Sequence, residues 1–286
     1  MGTKYRMTDE IIKVNGKTLH RVEALIDIDS TGVKVGDKGG FIESEENLSQ
    51  EGDCWVSGNA CVYENVKVHG NAQVFGDAEV FDNAHVYENA KVHGNAQVSG
   101  NAEVGGNAQV FGNTHVLGGA QVFGDAWVYD GAKVSWGACI CDNAIVSGQA
   151  QVSGSANVSG FAWVTDNVDV WNCAQVSGNA WVSGNAWVYG NARVYGNVEV
   201  YDDAYVYGNA KVDGDAHVSG NAWVHGNAEV SGNAQVYGNA EVSGNAQVYG
   251  NAEVYGRAHV AGSTVVSGDA KVPGNAKSTV KAKGRV

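Results

Sequence analysis

A single proline, two methionines and no long hydrophobic run occur in 286 residues. The missing run excludes a membrane-spanning helix, which needs about 20 apolar residues in succession, so no membrane partner is expected. Met1-Gly2-Thr3-Lys4-Tyr5-Arg6 lacks the apolar core of a secretory signal, and Arg6 stands where a myristoylation site carries Ser or Thr. Basic residues are scarce too: 18 Lys and Arg face 31 Asp and Glu, a net charge of −13. Phosphate binding requires a Lys/Arg footprint, and the middle of the chain offers only Lys133, Arg193, Lys211 and Arg257, so no nucleic-acid partner is expected. Five cysteines (Cys54, Cys61, Cys139, Cys141 and Cys173), an odd number without zinc-ligand spacing, fit a reduced, cytoplasmic protein better than a disulfide framework.

What the chain has in abundance is glycine, 40 residues of it, nearly all at one phase of a repeat. From Val56 to Val272 a Val, or once Ile140, recurs at every sixth position, 37 positions without an insertion or deletion. The unit reads V-x-G-N-A-x, as in Val92-His93-Gly94-Asn95-Ala96-Gln97. Strand alternation turns Val inward and its two neighbours outward, the Gly-Asn pair turns the chain, and Ala fits a tight interior position. Asn and Asp tolerate the left-handed backbone that such corners need. Three hexads then make one triangular coil, and coils stack by parallel strand pairing into an all-β, single-stranded solenoid of about 12 coils.

Three segments are expected. Residues 1–53 form an N-terminal β-hairpin cap, with its tight turn at Asn15-Gly16 between Ile11–Val14 and Thr18–Val22 and a third strand at Ala24–Ile28. A cap is needed because a solenoid end exposes unpaired strand edges and an apolar core. Residues 54–276 form the hexapeptide-repeat solenoid, and 277–286 a basic C-terminal tail that includes Lys277, Lys281, Lys283 and Arg285.

The hexad resembles that of left-handed parallel β-helix proteins, the hexapeptide-repeat superfamily that includes trimeric acyltransferases and γ-class carbonic anhydrases. Left-handedness is implied by that resemblance, since general chirality rules favour a right-handed crossover. Lys4-Tyr5-Arg6, Gly39-Gly40-Phe41-Ile42 and Leu48-Ser49-Gln50-Glu51-Gly52-Asp53-Cys54-Trp55 also make the whole chain similar to the YdcK-like β-helical proteins of enteric bacteria and prophages. This implies a phage or prophage origin and self-association, with a trimer favoured.

Positions eighteen apart fall on one face. One face stacks Trp127, Ile145, Trp163 and Trp181 just before its inward valines. A second carries Asp169 with Trp171, Trp187 with Tyr189, Tyr205 with Tyr207, and Trp223 with His225. Aromatic stripes of this size mark a contact surface. Trp127, Trp163, Trp181, Trp171, Trp187, Tyr189, Tyr205, Tyr207, Trp223 and His225 are therefore the candidate binding residues, for another copy, a protein partner or a small ligand such as a nucleotide or sugar. The repeat is least regular over residues 136–173, a second place to look for function.

Neither enzymatic activity implied by the resemblance finds its residues. A hexapeptide acyltransferase needs a His base in an intersubunit groove, and His85 or His225 are the candidates, but no loop leaves the repeat to shape such a groove. A γ-type carbonic anhydrase pairs His ligands five residues apart, and no two His here have that spacing, so no metal, cofactor or catalytic residue is assigned. Asp130, Asp166 and Asp202, on alternate coils of one corner, are too far apart to share an ion and are read as turn carboxylates. The expectation is a non-catalytic, rigid scaffold or binding protein, with an acyltransferase-like enzyme and a ligand-sequestering protein as alternatives.

Overall fold

A computed structural model describes residues 3–274 and, beyond them, the strand backbones at 277–278 and 282–283. It is a parallel β-solenoid in which the only helical element among the described residues is one 3-10 turn, Glu45–Asn47. The 37 repeat positions of the sequence become 37 strands, most of two residues, from Trp55–Val56 to Lys271–Val272. Every inward Val or Ile is buried, and so is nearly every Ala of the repeat. Thr114 and Thr264 stand at the Ala position, and their hydroxyls donate to the carbonyls of Phe111 and Ala261, so neither enters the core unsatisfied.

Two compact units divide the chain between Asp142 and Asn143, inside the irregular 136–173 stretch. In the first, the fifteen strands from Trp55–Val56 to Cys139–Ile140 make five turns of three. In the second, the strands from Ile145–Val146 to Ala282–Lys283 make eight. The last two pair with His259–Val260 and Val265–Ser267, and the register slips at the end because Ala282 pairs with Val266. Lys281 and Arg285 lie outside the described residues, and of Lys277 and Lys283 only the backbone is described.

Corner geometry assigns Gly and Asn different tasks. The residue two after Val holds positive φ, which Gly adopts at no steric cost. Where that residue is not Gly it is chiefly an acid: Glu64, Asp82, Glu88, Asp166 and Asp202 all have φ near 60°. Their carboxylates accept the backbone N–H of the residue eighteen later, as Asp82 does from Gly100 at 2.9 Å and Asp202 from Gly220 at 3.1 Å. The turn carboxylates Asp166 and Asp202 thus cap corner donors. Asn, one residue on, instead forms side-chain amide ladders. Asn71, Asn89 and Asn107 each donate to the next Oδ1, at 3.0, 3.0 and 2.8 Å, and the last acceptor is Asp125. An Asp can end such a ladder but cannot extend it, having no donor.

The stacking is polar. Each strand donates its N–H groups to the following turn, as in Cys61 to Ala78 at 2.9 Å and Tyr63 to Val80 at 3.1 Å. The first turn therefore has carbonyls with no preceding turn to serve them, and the cap supplies donors. Strands β1 (Tyr5–Val14) and β2 (Lys17–Ala24) form the expected antiparallel hairpin around Asn15-Gly16. The third strand, β3, is Lys38–Ile42 and not Ala24–Ile28. Gly39 and Gly40 let its backbone lie against Val56 and Ala60, where any Cβ would come within 2.8 Å of them. β3 is antiparallel to β2 and parallel to the strand at Cys61–Val62, which converts a hairpin into a solenoid turn.

Side chains complete the donor cap. Lys4 is 1 % exposed, and its Nζ donates to the carbonyls of Cys54 at 2.9 Å and Gly52 at 3.2 Å and to Cys54 Sγ at 3.1 Å. Asn47 Nδ2 donates to the Glu64 and Val66 carbonyls, and Arg21 Nη1 to that of Gly58 as well as to that of Gly39 in β3. Leu19, Phe41, Cys61 and Tyr63 form the apolar seal beneath, and burial pushes the Cys61 thiol up to about 11. Trp55 precedes an inward Val yet is buried, edge-on to Tyr5 with centroids 6.4 Å apart.

Candidate functional site

Seven of the ten candidate residues come together on one sheet of the second unit. Its strands carry, just before the inward Val, the in-register column Asp169, Trp187, Tyr205, Trp223, Glu241, His259. Just after the Val runs a second column, Trp171, Tyr189, Tyr207, His225. In this second column the rings are parallel, with centroids 4.8, 4.8 and 4.7 Å apart and interplanar angles of 11°, 3° and 7°. Those separations match the strand spacing of about 4.8 Å, so the lattice itself stacks the rings. Both faces of Tyr189 and Tyr207 are consequently covered, and only ring edges reach solvent. The first column is looser: Trp187 and Tyr205 are tilted by 35° at 5.8 Å, Tyr205 and Trp223 by 49° at 5.4 Å, and Trp223 stands edge-on to Tyr207. Trp187 and Trp223 remain among the exposed large side chains.

Polar groups bound this plate at both ends. At one end burial raises the Asp169 carboxyl above the usual range. At the other, Glu241 Oε1 lies 2.9 Å from His225 Nε2 and 3.1 Å from His259 Nε2. Burial works to raise the Glu241 carboxyl, but the hydrogen bonds and charges of His225 and His259 together outweigh it and hold the group below the usual range. Burial likewise raises the Tyr189 and Tyr207 hydroxyls, with neighbouring Tyr205, Tyr189 and Glu241 adding to it. The arrangement can orient an imidazole and present a flat, semi-rigid aromatic surface.

The other three candidates are elsewhere. Trp163 and Trp181 pair in register on a different face of the second unit, 52 % and 48 % exposed. Trp127 is in the first unit, edge-on to Phe111. There the structure adds a stacked column, Phe75, His93, Phe111 and Tyr129, at 4.5, 4.9 and 5.0 Å. The signal for it was present in the sequence as rings eighteen apart just after the inward Val. Trp136 occupies a corner at positive φ, and 75 % of it is exposed. Cys141 is buried and Cys139 half-buried on either side of Ile140, while Cys54 and Cys61 are buried and Cys173 is exposed. Among the described residues no three His, Cys, Asp or Glu side chains are grouped to hold a metal ion, and no helix is long and apolar enough to cross a membrane.

Hexad strands, three to a turn, with Val and Ala inside and amide ladders at the corners, define the class: a parallel β-solenoid. Within that class, residues 174–190, 186–202 and 234–250 match the YdcK Beta solenoid repeat, so the chain carries YdcK-like solenoid repeats. The first two segments include Trp181, Trp187 and Tyr189. No curated protein matches the chain.

Proposed function

We propose that this chain is a non-catalytic, rigid β-solenoid scaffold whose Trp187–Tyr205–Trp223 plate packs against another copy of itself, with a trimer the favoured assembly and the cytoplasm of a cell carrying a phage or prophage the favoured setting. The supporting observation is that the plate's rings are already ordered by packing on one another. Burying their outer edges then removes apolar surface from water at little further cost in side-chain entropy. Light scattering on the purified chain at about 100 μM, well above a micromolar Kd, tests this. An oligomer that dissociates on the double substitution Trp187→Ser and Trp223→Ser supports the reading; a wild-type monomer refutes it.

A second reading, an acyltransferase-like enzyme working between subunits, is favoured by one observation. His225 Nε2 is held by Glu241, which fixes its tautomer and leaves Nδ1 as a base, in the manner of an oriented catalytic imidazole. It requires turnover of an acyl-CoA that is lost in His225→Gln.

A further inference from the structure

Ring faces distinguish the two aromatic surfaces of the second unit. In the Trp171–Tyr189–Tyr207–His225 column they are consumed by parallel stacking. Trp163 and Trp181 also sit on adjacent strands, yet no ring among the described residues stacks on either, and about half of each side chain is open. Beside Trp181 lies a groove of about 390 Å³ lined by Asp166, Ser183, Glu199, Tyr201 and Asp202. Its carboxylates are already oriented. Asp166 Oδ2 accepts the Gly184 N–H at 3.0 Å, Asp202 Oδ2 accepts that of Gly220 at 3.1 Å, and Glu199 Oε2 is 3.0 Å from His217 Nδ1. Each keeps its other oxygen as a fixed acceptor with no donor of its own.

The groove does not stop there. Tyr201 also lines a second depression of about 260 Å³, with His217, Ser219, Gln235 and Tyr237. Trp181, Glu199, His217 and Gln235 lie on four successive strands of one sheet, so the side chains that line the two depressions follow one another at the strand spacing of about 4.8 Å. That repeat is close to the advance of one pyranose along an extended chain.

We infer that this face binds an extended neutral or amino-substituted oligosaccharide, one sugar to each strand. The electron-rich face of Trp181 meets the polarised C–H face of a pyranose, while Asp166, Glu199 and Asp202 accept its hydroxyl or ammonium protons. The same carboxylates, on a chain of net charge −13, repel uronic or sulfated sugars and nucleotides. The inference concerns a face distinct from the self-association plate and stands whichever oligomer forms.

Titrating the full-length chain with soluble cello- and chitosan oligosaccharides of increasing length, followed by Trp fluorescence and calorimetry, provides the test. Affinity rises with each sugar up to about four, the number of strands the groove crosses. Trp181→Ala, an exposed position where truncation leaves the fold intact, weakens binding at least about tenfold, Trp163→Ala weakens it less, and Tyr249→Ala, an exposed ring just after a strand of another sheet, leaves it unchanged. Absence of saturable binding at about 10 mM sugar overturns the inference. So does equal binding by Trp181→Ala, or a preference for polygalacturonate.

Discussion

Replacing Lys4 with methionine will loosen the N-terminal cap from the first solenoid turn. Methionine fills nearly the same volume, so packing is retained and only the ammonium is lost. That group donates to the Cys54 and Gly52 carbonyls at 2.9 and 3.2 Å and to Cys54 Sγ at 3.1 Å, with no carboxylate among its hydrogen-bond partners. Gross loss of charge-assisted bonds is offset by no longer having to desolvate an ammonium, which costs several kcal/mol. What remains is a buried Cys54 carbonyl without a donor, about 1–3 kcal/mol, and a weakened Gly52 contact, for a net loss of about 2–3 kcal/mol.

In a solenoid each turn contacts only its neighbours, so this loss appears as early melting of the cap while later turns hold. Trp55, buried and edge-on to Tyr5, reports on that region. Its fluorescence should shift to the red at lower urea in Lys4→Met, ahead of the far-ultraviolet transition, with faster amide exchange in Tyr5–Val14. Lys34→Met, which removes an exposed ammonium from the same cap, should leave the cap midpoint unchanged. A Lys4→Met cap that melts with the wild type would refute the reasoning, because it would show that the carbonyls of the first turn need no protein donor.

At the corner of Asp82, Asp82→Ala keeps a strained left-handed backbone but loses the acceptor for Gly100 N–H, a cost of about 1–2 kcal/mol, whereas Asp82→Gly relieves the strain and comes out near neutral; urea melts of the pair read the difference. Asn107→Asp removes the donor to Asp125 and sets two carboxylates against each other in one ladder, so it should destabilise by about 1 kcal/mol or more in urea melts at neutral pH. Glu241 has a lowered carboxyl pKa in the folded chain, so its contacts with His225 and His259 stabilise above the unfolded carboxylate pKa of about 4.3 and the contribution is lost as pH falls through the folded value. Glu241→Gln should therefore flatten the acid side of the melting-temperature profile, and an unaltered profile would dismiss the role of the His225 and His259 contacts.

The solenoid was legible because its signal is one-dimensional. Val at every sixth position fixes inside and outside for the whole repeat, and each of the 37 positions became a strand. The cap was only half legible: Asn15-Gly16 announces a hairpin locally, but β3 is chosen by contact with Val56 and Ala60, which no local pattern encodes. Asn at the corner looked like a turn former, and its ladder role appears only when residues eighteen apart are placed in contact. The candidate residues could be assigned to faces by counting, but whether a ring lies flat, tilted or stacked depends on its neighbours in the adjacent turns.

That last dependence decides which surfaces are open for recognition. A ring just after the inward Val is drawn into parallel stacking when rings also occupy that position one turn away, as in Phe75–His93–Phe111–Tyr129 and Trp171–Tyr189–Tyr207–His225. Inside such a column both faces of a ring are satisfied, so the column stiffens the solenoid and offers edges. Trp181 is different because Ser183, a small residue, follows its Val while Tyr201 follows the next, leaving a depression beside an unstacked indole. Substituting Ser183→Tyr would extend a ring column into that depression, fill the groove and leave the plate untouched. The effect of that one change on sugar binding and on oligomeric state would therefore separate the two surfaces.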